Sequence, residues 1–488
     1  WRKGLSLVFK NGLRPIKNSR RMKSKLHIIV ILFCFSWCYS QTSKPNIILI
    51  VADDLGWGDV GYNGQKYIKT PQIDQLAKEG MIFNNFYAGS TVCGPSRASL
   101  ITGKHTGHSS VRENPRWTAN GLPVDLSPSD VTVAEELKRA GYTTGIIGKW
   151  GLGENLGSGV PKKQGFDYFY GFNRHKVAHH HYPDSIWENN TYKPIKGNNW
   201  QKKQGQFVQD LFTEKAKDFV LSNKAEPFFL YLAYTTPHYE LTVPEESKSD
   251  YVNQNWPKRK MFPGHYLHDK EGHTTYAGMV SRMDAQIGEI MALLKEQGID
   301  KNTLVIFTSD NGHEYDKLAQ PFFDSNGPYR GRKRDLYEGG VKVPFVVRWP
   351  AKIKAGSETN HIAAFWDFLP TFCDMAKLKP TDATDGISFL PTLKGKRKQI
   401  QHQYLYWEFN ESKGPTQAVR QGQWKLVKRF KKPIELYDIE NDPGEAENMA
   451  SKYPDKLSEL QLVLESSRTP HPEFPLIKLN PYKKKTKK

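Results

Sequence analysis

Two pairs of oxygen-bearing side chains in this sequence suit the binding of a hard metal ion. Asp53 and Asp54 come directly after one short apolar run, and Asp310 and Asn311 come just after another. Adjacent carboxylates repel each other unless a cation lies between them. Carboxylate and amide oxygens suit Ca²⁺ or Mg²⁺ better than they suit zinc. The pairs together predict a hard-cation site, although either pair alone is equally typical of a helix cap beside a solvated carboxylate.

Two more polar residues follow apolar runs in the same way. Lys149 comes soon after residues 144–147, and His238 comes soon after residues 228–234. A lysine is most often a solvated surface charge, and a lone histidine is most often structural. Their positions at the ends of apolar runs make both of them candidates for chemistry.

The apolar runs predict the elements that position these residues. Runs that are apolar throughout are typical of buried parallel strands. They are Ile47–Val51, Thr144–Ile147, Phe228–Tyr234, Leu304–Thr308 and Phe345–Val347. Helical patterns at Thr132–Ala140 and Met283–Gln297 lie between them. The alternation predicts an α/β fold, an open sheet with helices on both faces, which binds ligands beyond the carboxyl ends of its strands.

The rest of the chain has a different texture. Residues 157–199 are rich in Gly, Asn, His and aromatics without a period, which predicts long loops over a site. After about residue 376 the patterns predict short antiparallel strands and one terminal helix. These are Tyr404–Phe409, Gln423–Val427 and Ile434–Asp438, then Tyr453–Glu465. We therefore expect a catalytic domain at 44–375, a C-terminal α+β subdomain at 376–475, and a disordered basic tail at 476–488.

The N-terminal segment predicts export. A short basic stretch at Met22–Lys25 precedes an apolar run that ends at Cys38, and small or polar residues follow. That order is typical of a secretory signal peptide, and the run is shorter than the roughly 20 residues that span a bilayer. We expect residues 1–40 to be upstream sequence and signal peptide, with 1–21 never translated. The mature protein would start near Gln41 and be periplasmic or secreted, without a membrane span.

The location of the positive charge in the chain weakens the case for a nucleic-acid partner. The formal net charge is +19, from 70 Lys and Arg against 51 Asp and Glu. Much of the excess lies in the first 25 residues and in the lysine-rich C-terminal tail. The modestly basic body that remains suits an anionic substrate as well as it suits nucleic acid, so we predict no nucleic-acid partner.

Cys93 has two interpretations from its residue type alone. Cys34 and Cys38 lie in the predicted signal peptide, which leaves Cys93 and Cys373. Two thiols in an exported protein by default form a disulfide. The alternative is that Cys93 does chemistry, because it begins the sequence Cys-Gly-Pro-Ser-Arg, which ends at Arg97.

That sequence, followed by L-x-T-G, resembles the signature of the type I sulfatases, which share the alkaline-phosphatase-like fold. Five motifs match in chain order over about residues 45–450. They are ADDLG at Ala52–Gly56, CGPSR at Cys93–Arg97, GKWGLG at Gly148–Gly153, SDNG at Ser309–Gly312 and RGRKRDLYEGG at Arg330–Gly340. The resemblance implies a large mixed, mostly parallel sheet sandwiched by helices. It also implies an exported sulfatase of the bacterial polysaccharide kind.

The resemblance further implies a role for each matching residue. The implied ligands of one Ca²⁺ are Asp53, Asp54, Cys93, Asp310 and Asn311. The implied catalytic set is Cys93, Arg97, Lys149, His238 and Lys333. In the family a formylglycine-generating or maturase enzyme oxidises the Cys to formylglycine (3-oxoalanine) during export, and its hydrate attacks sulfur. The Arg holds the hydrate, the two lysines bind sulfate and the His protonates the departing alcohol. This role replaces the disulfide as the leading interpretation of Cys93.

One position departs from the family pattern. Many members have His where Gly151 stands, and a subset with Gly carries an Ala-His element downstream, as at Ala178 and His179. In the family that His hydrogen-bonds the formylglycine hydrate or the sulfate oxygens. We therefore predict that His179, or else His181, supplies this hydrogen bond or binds sugar hydroxyls further out. A transition-metal site in the run 179–181 is the alternative.

The sequence thus predicts an exported, calcium-dependent sulfatase that acts on a sulfated carbohydrate. A phosphatase or phosphonate monoesterase of the same fold is the alternative within the enzyme class. The alternative from another class is a non-catalytic binder of sulfated glycans in which Cys93 stays unmodified.

Overall fold

The computed structural model describes residues 44–114, 118–120, 122–259, 269, 271–315, 322–411 and 414–479. The predicted signal peptide, the start near Gln41 and most of the basic tail lie outside the described residues. No helix in the described part of the chain combines the length and apolar character needed to cross a membrane.

The strands of the described chain form two sheets. They are β1 Asn46–Ala52, β2 Met81–Tyr87, β3 Thr143–Lys149, β4 Tyr168–Phe172, β5 Ser185–Glu188, β6 Thr191–Pro194, β7 Phe228–Ala233, β8 Thr303–Ser309, β9 Phe345–Arg348, β10 Ser357–Ala364, β11 Leu405–Phe409, β12 Thr416–Gln421, β13 Trp424–Arg429 and β14 Glu435–Asp438. The large sheet has the order β10-β2-β9-β8-β1-β7-β3-β4-β5-β6, and the small sheet contains β11 to β14 in sequence order.

The helices flank these sheets. They are α1 Pro71–Glu79, α2 Cys93–Thr102, α3 Val133–Arg139, α4 His175–Ala178, α5 Val208–Asn223, α6 Gly272–Glu296, α7 Glu338–Val341, α8 Phe368–Met375, α9 Leu390–Leu393 and α10 Pro454–Ser466. The start of α3 shows how local sequence fixes an element. The Thr132 hydroxyl accepts a hydrogen bond from the Glu135 amide, and the Glu135 carboxylate accepts one from the Thr132 amide, which is a capping box.

Four neighbouring strands, β8, β1, β7 and β3, are parallel and form the centre of the large sheet. Every residue of β1 is buried. Its alternate side chains enter two different cores: Ile48 packs in the core that contains Ile287 of α6, and Leu49 packs in the core that contains Phe372 of α8. Burial on both faces explains why the sequence of such a strand is apolar throughout. The predicted α/β fold with a large, mostly parallel sheet is confirmed.

Two predictions about the large sheet are wrong. Phe345–Val347 was expected to be a parallel strand, but β9 is antiparallel to both β8 and β2. It is buried on both faces, so its sequence carries the same apolar signal as a parallel strand. The expected long loops at 157–199 contain β4, β5 and β6, with β4 parallel to β3.

The small sheet is an antiparallel meander. It includes β12, which the sequence patterns did not predict. One face packs on α10 through Leu460 and Leu464. On the other face Trp407 packs with Tyr87 and Trp366 of the large unit. A division of the chain at residue 375 stays a prediction.

Candidate active site

The ends of the central parallel strands bring the predicted polar residues together. Ala52 at the end of β1 is in register with Ser309 at the end of β8. The backbone pairing continues beyond both strands, because the Asp310 amide donates to the Ala52 carbonyl at 3.1 Å and the Asp53 amide donates to the Thr236 carbonyl at 3.0 Å. Residues that directly follow β1, β7 and β8 therefore lie side by side at one edge of the sheet.

Three carboxylates and one amide meet at this edge, and all of them are buried. The Asp54 amide donates to Asp310 Oδ1 at 3.1 Å, and Asn311 Nδ2 donates to Asp54 Oδ1 at 2.8 Å. Asp53 offers a ligand atom within 4.8 Å of one from Asp54 and of one from Asp310. Asp54 has a φ of 65°, a left-handed conformation that Asp tolerates better than most residues.

Three cationic side chains balance these carboxylates. Lys149, the last residue of β3, donates to Asp53 Oδ2 at 2.5 Å. Arg97 of α2 donates to Asp310 Oδ2 through Nε at 2.9 Å and Nη2 at 2.7 Å. Lys333 donates to Asp54 Oδ2 at 2.6 Å.

The carboxyl groups respond differently to this environment. Burial raises the pKa of Asp53 to about 8, against the opposing effect of Lys149, and Asp310 and Asp54 add to the rise. Burial also raises the pKa of Asp54, against the effect of Lys333. Burial would raise the pKa of Asp310 too, but Arg97 and Lys149 hold it below its usual value. Carboxylates that resist ionisation when crowded together are typical of a site that gains from a cation.

The donor set fits a hard cation. Oδ1 of Asn311 is buried and has no hydrogen-bond partner among the described residues. The ligand atoms of Asp53, Cys93 and Asp310 all lie within 4.8 Å of one another. Oxygen donors from three carboxylates and an amide match the preference of Ca²⁺ or Mg²⁺.

Cys93 is the first residue of α2 and is 2% exposed. Burial raises the pKa of its thiol, against the effects of Lys149 and Lys333. Cys93 and Cys373 are both free thiols, so the disulfide alternative is wrong. Cys373 lies in the apolar core on α8, whereas Cys93 lies beside the carboxylates.

His238 lies in the segment that follows β7. Its Nε2 is 3.4 Å from Asp54 Oδ2 and 3.4 Å from Lys333 Nζ. Burial lowers its pKa well below the ordinary value, and His179, Lys333 and Lys149 lower it further.

The segment after α4 packs directly on His238. The ring of His179 stacks on that of His238, with centroids 4.0 Å apart and planes 10° apart. His181 Nε2 is 3.2 Å from the His238 carbonyl oxygen, and burial lowers the pKa of His181 to about 4. His180 Nδ1 is 2.6 Å from Glu240 Oε2. These rings use partners within the protein, which gives no support to a transition-metal site in the run 179–181.

Comparison with protein families decides the class of this protein. Residues 45–378 match the family described as Sulfatase. Residues 330–468 match the family described as N-sulphoglucosamine sulphohydrolase, C-terminal. The chain belongs to the sulfatase family. It is therefore a sulfuric ester hydrolase, and the resemblance drawn from its five motifs is confirmed.

Individual relatives of this sulfatase cover most of its length. It is 32% identical to the N-acetylgalactosamine-6-O-sulfatase of Bacteroides thetaiotaomicron, across 88% of this chain and 94% of the relative. It is 32% identical to the N-acetylgalactosamine-6-sulfatase of Mus musculus, across 88% of this chain and 82% of the relative. The solved structure of Ps i-CgsB in complex with k-i-k-neocarrahexaose is 30% identical, has a TM-score of 0.71, and covers 87% of this chain and 93% of that one.

The structure of this sulfatase also places His175, which the sequence analysis did not identify as a candidate, close to the site. The role of His179 stays a prediction, but the side chain nearest to a β-carbon placed on Gly151 is that of His175 of α4. Backbone pairing past β3 and β4 explains this, because the Gly151 amide donates to the Asn173 carbonyl at 3.2 Å. Prediction of β4 as the partner of β3 would have revealed it.

Other residues of the region 157–199 have structural positions. Phe166 and Tyr170 are buried in the two cores of the large sheet. Glu314, which the sequence analysis also did not identify, forms an ion pair with Lys333, with Oε2 and Nζ 2.8 Å apart. It follows the SDNG motif closely, which is the signal that was available.

Proposed function

We propose that this sulfatase hydrolyses sulfate esters of a carbohydrate, with oxidised Cys93 as the nucleophile and one Ca²⁺ as an electrostatic aid. The observation that carries the proposal is the meeting of Cys93 with Asp53 and Asp310, whose ligand atoms lie within 4.8 Å of one another. Attack on an anionic sulfate needs a nucleophile beside positive charge, because an anion otherwise repels it.

Asp53, Asp54, Asp310 and Asn311, together with the modified Cys93, would hold the Ca²⁺. Support comes from the crowded carboxyl groups, which a cation would stabilise in their ionised form. When bound, the ion supplies positive charge that neutralises sulfate oxygens and lowers the pKa of a coordinated hydroxyl.

Formylglycine made from Cys93 would supply an aldehyde hydrate, whose second hydroxyl lets the enzyme expel sulfate, whereas a serine would be left as a stable ester. Arg97 lies one turn further along α2 and fixes Asp310 through two hydrogen bonds. It would hold the hydrate from the same side.

Lys149 and Lys333 would bind the sulfate oxygens. Both ammonium groups are buried at the site, where water does not screen their charge. Fixed positive groups in such a site stabilise charge on the oxygens in the transition state without reorganising.

His238 would protonate the departing alcohol oxygen through Nε2. Lys333 and Lys149 now keep the pKa of its ring low, and the negative charge of a bound sulfate would raise that pKa again. His179, stacked on the ring, and His181, against its backbone, would contact the sugar or the sulfate from the other side.

The carbohydrate is proposed from the relatives and from a cleft whose lining includes Arg334, the residue that follows Lys333 in the chain. Two relatives are N-acetylgalactosamine 6-sulfatases, and a third was solved in complex with k-i-k-neocarrahexaose. The cleft has a volume of about 200 Å³. Its lining includes basic, aromatic and acidic side chains, namely Arg334, Arg429, Lys432, Tyr337, Phe430, Asp335 and Glu411. Cations bind sulfate groups, and aromatic rings stack on sugar faces.

We further propose export to the periplasm or the outside, with a formylglycine-generating or maturase enzyme acting on Cys93 on the way. The signal-like segment Met22–Cys38 supports export. The burial of Cys93 at 2% exposure supports oxidation before folding, because a modifying enzyme has no access afterwards.

A substrate panel tests the activity. N-acetylgalactosamine 6-sulfate, sulfated galactan oligosaccharides and 4-nitrophenyl sulfate are incubated with the protein, and released sulfate is measured. We expect release from at least one sugar sulfate. Robust hydrolysis of the aryl sulfate with none of any sugar sulfate would contradict the carbohydrate assignment, and faster hydrolysis of matched phosphate esters would favour the phosphatase alternative.

Intact-mass measurement of the Cys93 peptide separates enzyme from binder. Formylglycine is lighter than cysteine, so a converted sample has a lower mass. Binding of sulfated glycans by a protein whose Cys93 keeps its thiol mass after native export would support the non-catalytic alternative.

A further inference from the structure

His175 fills the space that a side chain at position 151 would occupy. A β-carbon added to Gly151 would lie 2.6 Å from Cε1 and 2.9 Å from Nε2 of the His175 ring. Packed protein interiors do not accommodate contacts this short without moving one of the partners. A side chain at position 151 therefore does not fit while the His175 ring occupies this space.

The same ring also contacts the residue next to the nucleophile. A β-carbon on Gly94 would lie 3.3 Å from both Cε1 and Nε2 of His175. His175 thus stands between Gly94, which follows Cys93, and Gly151, which follows Lys149 by two positions. It forms part of the wall around the nucleophile.

Nε2 of the His175 ring is available to a ligand. His175 is 8% exposed, and its Nε2 is buried without a hydrogen-bond partner among the described residues. A buried polar atom without a partner costs about 1–3 kcal/mol. Burial and the nearby cations Lys149, Arg97 and Lys333 lower the pKa of the ring, and an oxygen of an anion is a ligand that suits the ring and these cations together.

We propose that His175 is a catalytic residue whose Nε2 hydrogen-bonds an oxygen of the sulfate group at Cys93. This inference rests on the proposed function, because it requires a sulfate ester in the pocket. A hydrogen bond to that oxygen strengthens as charge develops there in the transition state, so its loss lowers kcat more than it raises KM.

The first test examines the fit of the ring and does not use activity. Gly151→Ala is expected to lower Tm more than Gly141→Ala. The second variant is a matched control, since Gly141 also has a φ of 80° but nothing within 4 Å of its β-carbon position. Adding His175→Ala to Gly151→Ala is expected to recover part of the lost Tm, because the clash is gone. Strictly additive Tm changes would contradict the placement of the ring.

The second test measures kcat and KM on N-acetylgalactosamine 6-sulfate and 4-nitrophenyl sulfate. His175→Ala is expected to lower kcat about 10²-fold, and His175→Gln, which keeps an N–H group near the Nε2 position, to recover part of it. His361→Gln is the control. His361 is also buried with an unpartnered Nε2 among the described residues, but it lies on β10 at the edge of the sheet.

The outcomes separate the inference from the proposed function. If the converted wild-type protein cleaves no sulfate ester, the proposed function fails and the role of His175 fails with it. If the wild type cleaves a probe and His175→Ala keeps kcat within about twofold, only the role of His175 is wrong. A raised KM with unchanged kcat also contradicts it, because that result is typical of uniform substrate binding. If His175→Ala does not fold, His175→Leu, which fills part of the space of the ring without an N–H group, gives the same readout.

Discussion

Two of the buried charge clusters in the described part of this sulfatase are arranged in opposite ways. We call one of them the sheet-junction cluster. In it the ammonium group of Lys425 lies between the carboxylates of Glu338 and Glu445. Lys425 of β13 lies 2.8 Å from Glu338 Oε1 and 3.4 Å from Glu445 Oε1. Tyr87 donates to Glu338 Oε2 at 2.7 Å. Burial would raise the pKa of Glu338, but Lys425, Lys342 and Arg420 hold it at about 2.

The active-site cluster instead places carboxylates against each other. Asp53 offers a ligand atom within 4.8 Å of one from Asp54 and one from Asp310, and burial together with this crowding raises the pKa of Asp53 to about 8. Burial of charge alone therefore does not mark a site. The junction cluster joins the small sheet to the large one and keeps Glu338 ionised, although burial raises the pKa of Glu445 to about 7, whereas the active-site cluster gains from a bound cation.

The largest expected difference between the clusters comes from removing Cys93, the proposed nucleophile. Cys93→Ala is expected to lower kcat by more than about 10³-fold, because no hydrate forms, while the unfolding free energy and calcium binding stay close to wild type. Cys93→Ser is expected to be equally poor. Cys373→Ala, at the other buried thiol, is the control and should keep its activity. Turnover of Cys93→Ala within tenfold of wild type would refute the mechanism.

Loss of a ligand from the active-site cluster should have the next largest effect. Asp53→Ala or Asp310→Ala is expected to cost several kcal/mol of transition-state stabilisation, as loss of metal assistance does. Both variants should also lose the rise in Tm that added Ca²⁺ gives the wild type, and EGTA should mimic them. Asp59→Asn is the control, because Asp59 is equally buried but bonds Gly56 and Tyr276. Stoichiometric zinc without calcium or magnesium in active enzyme would overturn the assignment.

Breaking the junction cluster should lower the stability of the protein and leave its activity nearly unchanged. Lys425→Met leaves Glu338 and Glu445 buried without their shared cation, which is expected to cost about 3–5 kcal/mol of unfolding free energy. The folded fraction should keep its kcat within about twofold. Denaturant unfolding and initial rates measure the two effects, with Lys428→Met on the same strand as the control. A tenfold fall in kcat at full folding would show that the two clusters are not independent.

The smallest predicted effect concerns a buried histidine outside both clusters. Burial lowers the pKa of His105 from 6.5 to about 4. As pH falls through this window the unfolded chain takes up a proton that the folded chain does not, so stability present above pH 6.5 is progressively lost. The loss is expected to reach at most about 3 kcal/mol. His105→Gln should flatten the dependence in urea unfolding from pH 7 to pH 4, and an unchanged slope would contradict the prediction. His108→Gln serves as the control.

Much of the active site was predictable because its signals are local. Asp53, Asp310 and His238 each follow an apolar strand, and parallel strands carry such residues to one edge of the sheet. Lys149 differs only in being the last residue of its strand, β3, whereas the others come after theirs.

The rest depends on pairing between distant segments. The antiparallel direction of β9 leaves no mark on its sequence, because burial on both faces gives the same apolar run in either direction. His175 reaches the site only because β4 pairs with β3, and Tyr168–Phe172 is surrounded by loop-forming residues that hide the strand.

The order of strands in the large sheet has a consequence for the time course of folding. Residue 52 pairs with residue 309 and residue 51 with residue 233, whereas each strand of the small sheet pairs with its neighbour in the chain. Contacts across long loops form slowly because the entropy of loop closure precedes any gain. During refolding the small sheet can therefore form from nearby residues, while turnover returns only when the distant strands have docked. Recovered activity thus reports the last stage of folding, after the recovery of circular dichroism.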